Sequence, residues 1–150
     1  MSIAAWAVYD RETMHRTRKL KGWDAASSLV RLHNAALPLL RTLTLAELEL
    51  CRGGGDGRPT YFAARGVVYD VTDSPSFTQG GGYTAFAGRD ASFALATMSL
   101  HPNDVGRRGV KLSEEDQASL DDWVVYFDQK YRRVGVLPDS DTPCNAPPLR

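Results

Sequence analysis

The side chains that most often bind metals or act as nucleophiles are few in this sequence and lie far apart. The three histidines, His15, His33 and His101, belong to different segments and have no carboxylate or cysteine at metal-ligand spacing. The two cysteines, Cys51 and Cys144, match no zinc or redox motif. The sequence therefore predicts no hydrolytic metal site and two free thiols in a reducing compartment.

The glycine-rich runs lack the other parts of a nucleotide-binding loop. The run at 80–82 is followed by Tyr83 and not by the Lys-Ser/Thr pair of a phosphate loop. Neither run completes Gly-x-Gly-x-x-Gly after a strand, and no Gly-x-Ser-x-Gly motif occurs. We therefore predict that the protein binds no nucleotide, and catalysis by its own side chains has little support, although a triad assembled by the fold stays open.

Composition places the chain among ordinary single-domain proteins. Its 150 residues include 18 basic and 18 acidic side chains, and 43% are hydrophobic. A net charge of zero argues against binding nucleic acid through bulk charge. The longest uncharged stretch, 74–88, is rich in glycine and shorter than the roughly 20 apolar residues of a membrane span. We expect no transmembrane helix, no secretory signal, and by default a cytosolic or nuclear protein.

The elements that would position functional side chains begin with a short helix and a hairpin. Thr44 and Glu47 form a capping-box pattern, which predicts a helix that starts after Thr44. Residues 60–63 and 67–71 are β-branched, aromatic and alternating, and they flank a turn at 64–66. This pattern predicts a β-hairpin.

A loop and two further helices follow the hairpin. The loop, 72–82, places Tyr83 at the start of the next ordered segment, and Asp90 can cap a helix that runs to Met98. Ser113 opens the clearest helix, and Gly135 is its expected end. One face of that helix carries an apolar stripe: Leu120, Trp123, Val124, Phe127 and Tyr131.

The two ends of the chain differ in character from the middle. A basic cluster at 15–21 precedes a helix expected from Asp24. The cluster either binds an acidic partner or lipid headgroups, or it is a solvated helix face. The proline-rich tail, 138–150, is expected to be disordered. We therefore divide the chain into an N-terminal extension (1–42), one domain (43–137) and this tail.

Four motifs in the domain carry a family resemblance. The segment from Tyr83 to Ser92 reads Tyr-Thr-Ala-Phe-Ala-Gly-Arg-Asp-Ala-Ser. The other motifs are Thr-Leu-Ala-Glu-Leu at 44–48, Tyr-Asp-Val-Thr at 69–72, and Lys-Tyr-x-x-Val-Gly at 130–135. Taken in chain order, the four motifs resemble the membrane-associated progesterone receptor family, a branch of the cytochrome b5-like haem/steroid-binding domains. The resemblance implies an α+β domain whose small mixed sheet and helices form a haem groove.

The resemblance also implies which residues bind haem b. By match to the family's axial tyrosine, Tyr83 would be the metal ligand, and Lys130 and Tyr131 match a pair that supports the ligand or a haem propionate. A phenol has a pKa of about 10 in water, so its binding as phenolate requires ferric iron. The residues alone leave open that Tyr131 belongs to the core and that Lys130 pairs with the helix dipole.

The sequence departs from related patterns at two points. The histidines that hold haem in cytochrome b5 are missing, since a glycine run takes the first place and no histidine occurs from 83 to 100. His101 is either a second ligand or a surface residue. The family's extra tyrosine before the axial one is replaced here by Phe-Thr-Gln-Gly at 77–80.

The expected function is non-catalytic binding of five-coordinate ferric haem, for haem handling or for regulation of haem mono-oxygenases in sterol metabolism. Two alternatives remain: a module that binds sterol or another apolar molecule, and an electron donor to a mono-oxygenase. The expected location is the cytoplasm. Peripheral contact with the endoplasmic reticulum membrane and a homodimer through the exposed haem face are left open.

Overall fold

The computed structural model of the chain describes residue 34, residues 41–78 and residues 80–138. Several features predicted from the sequence lie outside the described residues. They are the basic cluster at 15–21, the helix expected from Asp24, the tail beyond residue 138, His15, His33 and Cys144.

Four short strands form one mixed sheet. They are β1 (Arg41–Thr42), β2 (Tyr61–Ala64), β3 (Val67–Asp70) and β4 (Arg132–Val136), in the order β1-β4-β3-β2. β1 runs parallel to β4, and the other neighbours are antiparallel. The predicted α+β class is confirmed. β1 uses two residues assigned above to the N-terminal extension, while the division into extension, domain and tail stays a prediction.

β2 and β3 form the predicted hairpin, and its turn explains why the chain reverses there. Arg65 and Gly66 have φ angles of 52° and 75°. Two successive positive φ angles are those of a type I′ turn, whose twist matches that of the flanking strands. The predicted segments 60–63 and 67–71 are therefore strands with ends that differ by one residue.

Three α-helices and a 3-10 turn complete the domain: α1 (Leu45–Leu50), the turn Thr84–Phe86, α2 (Ser92–Ala96) and α3 (Glu114–Lys130). The predicted capping box of α1 is confirmed, because Thr44 Oγ1 accepts from Glu47 N at 3.2 Å and Glu47 Oε2 accepts from Thr44 N at 2.8 Å.

α2 and α3 begin close to the predicted residues. Ala91 is the N-cap of α2, while Asp90 Oδ1 accepts from Ser92 N at 3.0 Å, so Asp90 acts one residue further out than expected. α3 starts as predicted, with Ser113 Oγ accepting from Asp116 N at 3.1 Å.

The prediction that α3 stops at Gly135 is wrong. α3 ends at Lys130, and Gly135 lies in β4, where it pairs with Arg41 of β1. A Cβ atom on Gly135 would lie 2.6 Å from Leu43 Cδ1 and 2.7 Å from Arg41 O. The glycine therefore allows close approach of β1 to β4, a role that sequence cannot distinguish from helix termination.

The sheet separates two groups of buried side chains, because successive strand residues point to opposite faces. Ala63 and Val68 face a small cluster that includes Leu48 of α1. Phe62 and Tyr69 face the main core, which α2 and α3 cover. The predicted stripe of α3 supplies much of that core, with Leu120, Trp123 and Phe127 at most 3% exposed.

Candidate functional site

A cleft opens between the loop at 72–82, the 3-10 turn and α3. Its cavity volume is about 40 Å³, where a single water needs about 10–15 Å³. Ten side chains line it: Ser76, Phe77, Tyr83, Phe86, Leu95, Trp123, Tyr126, Phe127, Lys130 and Tyr131. The three residues singled out from the sequence, Tyr83, Lys130 and Tyr131, all belong to this lining.

Tyr83 is half-buried, and the backbone and two aromatic rings hold it. Its N–H donates to Ser76 O at 2.8 Å, and its carbonyl accepts from Phe86 N at 3.0 Å. Its ring stacks on Phe86 with centroids 5.7 Å apart and tilts against Phe77 at 5.4 Å. These contacts fix the direction in which the phenol leaves the backbone.

The loop before Tyr83 is folded tightly on itself. Thr84 Oγ1 donates to Gly81 O at 2.6 Å and is 3.1 Å from Thr78 O. A Cβ atom on Gly81 would overlap the backbone oxygens of Pro75 and Ser76. Only glycine at position 81 allows this loop to pass so close to itself. Gly81 is therefore explained by the packing of the loop, without any nucleotide.

Tyr131 forms the opposite side of the cleft. It is the first residue after α3, and its N–H donates to Phe127 O at 2.7 Å. Its hydroxyl lies 3.2 Å from Ser74 Oγ, and its ring meets Phe77 edge-on at 5.8 Å. Phe77 therefore contacts both Tyr83 and Tyr131, and it forms a common wall between the two phenols.

Lys130 brings a positive charge to the cleft. Its Nζ donates to Tyr126 Oη at 2.9 Å and lies 5.3 Å and 5.5 Å from the ring centroids of Tyr126 and Tyr131. Partial burial would lower the pKa of Lys130, but the hydrogen bond to Tyr126 and the nearby Tyr131 raise it above its usual value. The side chain is therefore an ammonium at neutral pH.

A buried polar network supports the end of α3. Tyr69 Oη of β3 donates to Asp128 Oδ1 at 2.7 Å, and Arg133 of β4 pairs with the same carboxylate. Burial first, and then the charge and hydrogen bond of Asp128, raise the pKa of Tyr69 well above 10. This network joins α3 to the sheet next to Lys130 and Tyr131.

Sequence reasoning missed Tyr126 and Ser74, the partners of Lys130 and Tyr131. Tyr126 could have been found, because it precedes Lys130 by four residues on a helix and so shares its face. Ser74 lies in the loop, 57 residues from Tyr131, and no local pattern connects them. His101 is exposed and is absent from the cleft lining. Among residues 41–78 and 80–138, no cluster of metal-ligating side chains occurs.

Comparison with protein families gives a match over more than half of the chain. The protein-family model described as the cytochrome b5-like haem/steroid-binding domain matches residues 44–137. A solved structure of a hypothetical Arabidopsis thaliana protein, described as having a cytochrome b5-like fold, is 39% identical with a TM-score of 0.59. That match covers 65% of this chain and 91% of the other.

Several curated proteins are similar over the same region. "Probable steroid-binding protein 3" of Arabidopsis thaliana is 41% identical over 61% of this chain and 93% of its own length. "Membrane steroid-binding protein 2" of Oryza sativa is 40% identical over 63% of this chain, but only 36% of that protein is covered. A Schizosaccharomyces pombe protein named as a cytochrome P-450 regulator is 36% identical, over 67% of this chain and 64% of its own.

In the described part of the chain, no helix combines the length and apolarity needed to cross a bilayer.

Proposed function

The chain belongs to the cytochrome b5-like haem/steroid-binding domain family, in its membrane-associated progesterone receptor branch, and from this premise we propose that it binds haem b through Tyr83. The observation that carries the proposal is the convergence of Tyr83, Lys130 and Tyr131 on one aromatic cleft. The proposed role is binding, without catalysis by the protein's own groups.

The donor set of the cleft fits ferric haem. Its lining offers phenol oxygens, one ammonium and a majority of apolar and aromatic side chains, and it contains neither imidazole nor thiol. A phenolate is an anionic oxygen donor, which ferric iron stabilises better than ferrous iron. When bound, haem would supply a redox-active iron.

The protein's own side chains have separate tasks in this proposal. Tyr83 presents the ligand oxygen, and the rings of Phe77 and Phe86 keep it from rotating away. Tyr131 is held by Ser74 and closes the other side of the cleft. Lys130 offers its ammonium to a carboxylate, which on haem is a propionate.

The space in the cleft is much smaller than a tetrapyrrole. A macrocycle must therefore lie across the opening of the cleft or move the loop at 72–82 away from α3. We favour binding across the opening, because the loop contains Phe77, which is 2% exposed and stacks on Phe62 at 4.7 Å, and because α3 is fixed by its buried stripe.

Ligation by an anionic oxygen would lower the reduction potential of the iron relative to two imidazoles. Such a site is poorly suited to passing electrons to a mono-oxygenase, and it suits haem handling or regulation of haem mono-oxygenases better. The relative named as a cytochrome P-450 regulator supports this choice. A midpoint potential within reach of flavoprotein reductases would favour the electron-donor alternative instead.

Haemin titration tests the proposal. The wild-type chain should bind haemin with a defined ferric spectrum, and Tyr83→Phe should lower the affinity by more than the roughly 10–100-fold that is lost when a residue only supports a metal ligand. Tyr61→Phe is the matched control, because Tyr61 packs on the opposite face of the sheet. Equal affinities for all three proteins would refute Tyr83 as the ligand.

A sterol-binding module is the second candidate. It is favoured by the apolar part of the lining, which includes Phe86, Leu95 and Trp123, and by the relatives named for steroid binding. The two candidates separate in a competition experiment with haemin and a radiolabelled sterol. Haemin should displace the sterol from the wild type, and retention of the sterol at saturating haemin would favour the sterol candidate.

A further inference from the structure

One residue from the region before the sheet contacts the site from outside the family domain. Asn34 Nδ2 donates to Asp128 O at 2.9 Å and to Tyr131 O at 3.0 Å. Its Oδ1 accepts from Arg133 N at 2.9 Å. Asn34 thus contacts three backbone groups that surround the point where α3 ends and β4 begins.

One of these three groups, the carbonyl of Asp128, is of the kind that a helix end leaves without a partner. The last carbonyls of α3 lack intrahelical donors, and among them Phe127 O accepts from Tyr131 N. Asp128 O, the next carbonyl, accepts from Asn34. The amide of Asn34 therefore acts as a C-terminal cap supplied by a distant part of the chain.

Side-chain contacts of Asp128 also fix the junction between α3 and β4. The carboxylate of Asp128 binds the hydroxyl of Tyr69 and the guanidinium of Arg133. Lys130 and Tyr131 lie between Asp128 and Arg133 in the chain. The contacts of Asn34 and those of the Asp128 carboxylate therefore hold the backbone on both sides of them. Within residues 128–133, only Lys130 and Tyr131 line the cleft.

We infer that Asn34 is a positioning residue for Lys130 and Tyr131. The family match begins at residue 44, so Asn34 lies outside it. The effect on haem rests on the proposed function, whereas the effect on the junction is measurable without any ligand.

The first measurement uses the full chain without ligand. Asn34→Ala should speed amide exchange at Arg133 N–H by about tenfold, because that donor loses its acceptor, and should shift the ring ¹³C signals of Tyr131. Asn34→Asp keeps an acceptor but cannot donate to the two carbonyls, so it should shift the same ring signals. Asn103→Ala, at an exposed asparagine, is the control and should change neither.

The second measurement follows transfer of haemin to apomyoglobin. Asn34→Ala should release haemin about fivefold faster than wild type, the effect of a lost hydrogen bond. In a Lys130→Gln, Tyr131→Phe background it should add nothing, because Asn34 acts through those two residues. Equal acceleration in both backgrounds, or unchanged exchange at Arg133, would overturn the inference.

Failure of the proposed function is distinguishable from failure of this inference. If the wild type does not bind haemin, the proposed function falls. The ligand-free signals then decide the inference alone: a shift at Tyr131 in Asn34→Ala supports it, and an unchanged spectrum overturns it.

Discussion

The Nζ of Lys130 donates a 2.9 Å hydrogen bond to the phenol oxygen of Tyr126, one helical turn earlier on α3. Both side chains line the cleft that also contains Tyr83. An ammonium held by a phenol and placed over two aromatic rings keeps a fixed position, which a free lysine on a helix end would not. The cleft therefore combines an apolar interior with one oriented positive charge.

Esterified haemin measures what this charge does. Wild type should bind haemin about twofold to fivefold more tightly than its dimethyl ester, because the ester has no carboxylate for the exposed ammonium. Lys130→Gln should remove most of this preference, and Tyr126→Phe should reduce it. The comparison is made by equilibrium titration at low salt, where screening is weak.

Lys111→Gln is the control for that experiment, since Lys111 is exposed and is absent from the cleft lining. It should keep the full preference for haemin over the ester. A preference that survives Lys130→Gln unchanged would mean that another cation receives the propionate.

Stability at high pH should depend on Tyr69. Burial and the carboxylate of Asp128 raise the pKa of Tyr69 well above 10 in the folded protein, while the unfolded phenol ionises near 10. The unfolded state thus loses a proton that the folded state keeps, so the stabilisation is complete below about pH 10 and declines as pH rises further. Tyr69→Phe should flatten this decline in urea unfolding experiments.

The same variant should lose stability at neutral pH. Removing the hydroxyl takes one hydrogen bond from Asp128, and a hydrogen bond to a charged group contributes about 1.5–3 kcal/mol. Tyr61→Phe, on the opposite face of the sheet, should cost less. Equal losses for the two variants would show that the bond between Tyr69 and Asp128 contributes nothing specific.

Gly81→Ala should damage the site as well as the fold. The added methyl overlaps the backbone oxygens of Pro75 and Ser76, so the loop must move, at a cost of about 1–3 kcal/mol. Because Ser76 O holds Tyr83 N, the loop movement should also weaken haemin binding. Thermal unfolding and haemin titration measure the two effects.

Gly55→Ala is the control for Gly81→Ala, because it strains the backbone without pushing the loop at 72–82 aside. Gly55 has a φ of 83° and open space around it, so alanine there strains the backbone at a residue that does not line the cleft. It should lower stability and leave haemin affinity unchanged. A loss of affinity at Gly55 similar to that at Gly81 would mean that binding only reports global stability.

The sequence predicts those parts of the fold that local chemistry specifies. The capping box at Thr44, the hairpin and the stripe of α3 depend on neighbouring residues, and all three are confirmed. Gly135 was misassigned because its role depends on β1, which is about ninety residues away in the chain. No local signal records such an approach.

The site shows the same division. Tyr83, Lys130 and Tyr131 were identified by resemblance, and the cleft contains all of them. Their supports were not identified, because Ser74 and Asn34 reach the site only through the tertiary fold. Their roles in haem binding remain predictions.

Resonance Raman spectroscopy of the haemin-loaded protein tests the central claim most directly, because it reports the iron ligand itself. The wild type should show the internal modes of an iron-bound tyrosinate, and they should shift when the chain contains ring-deuterated tyrosine. Tyr83→Phe should lose these modes, while Tyr61→Phe keeps them. A wild-type spectrum without tyrosinate modes, or one that Tyr83→Phe leaves unchanged, would contradict the account.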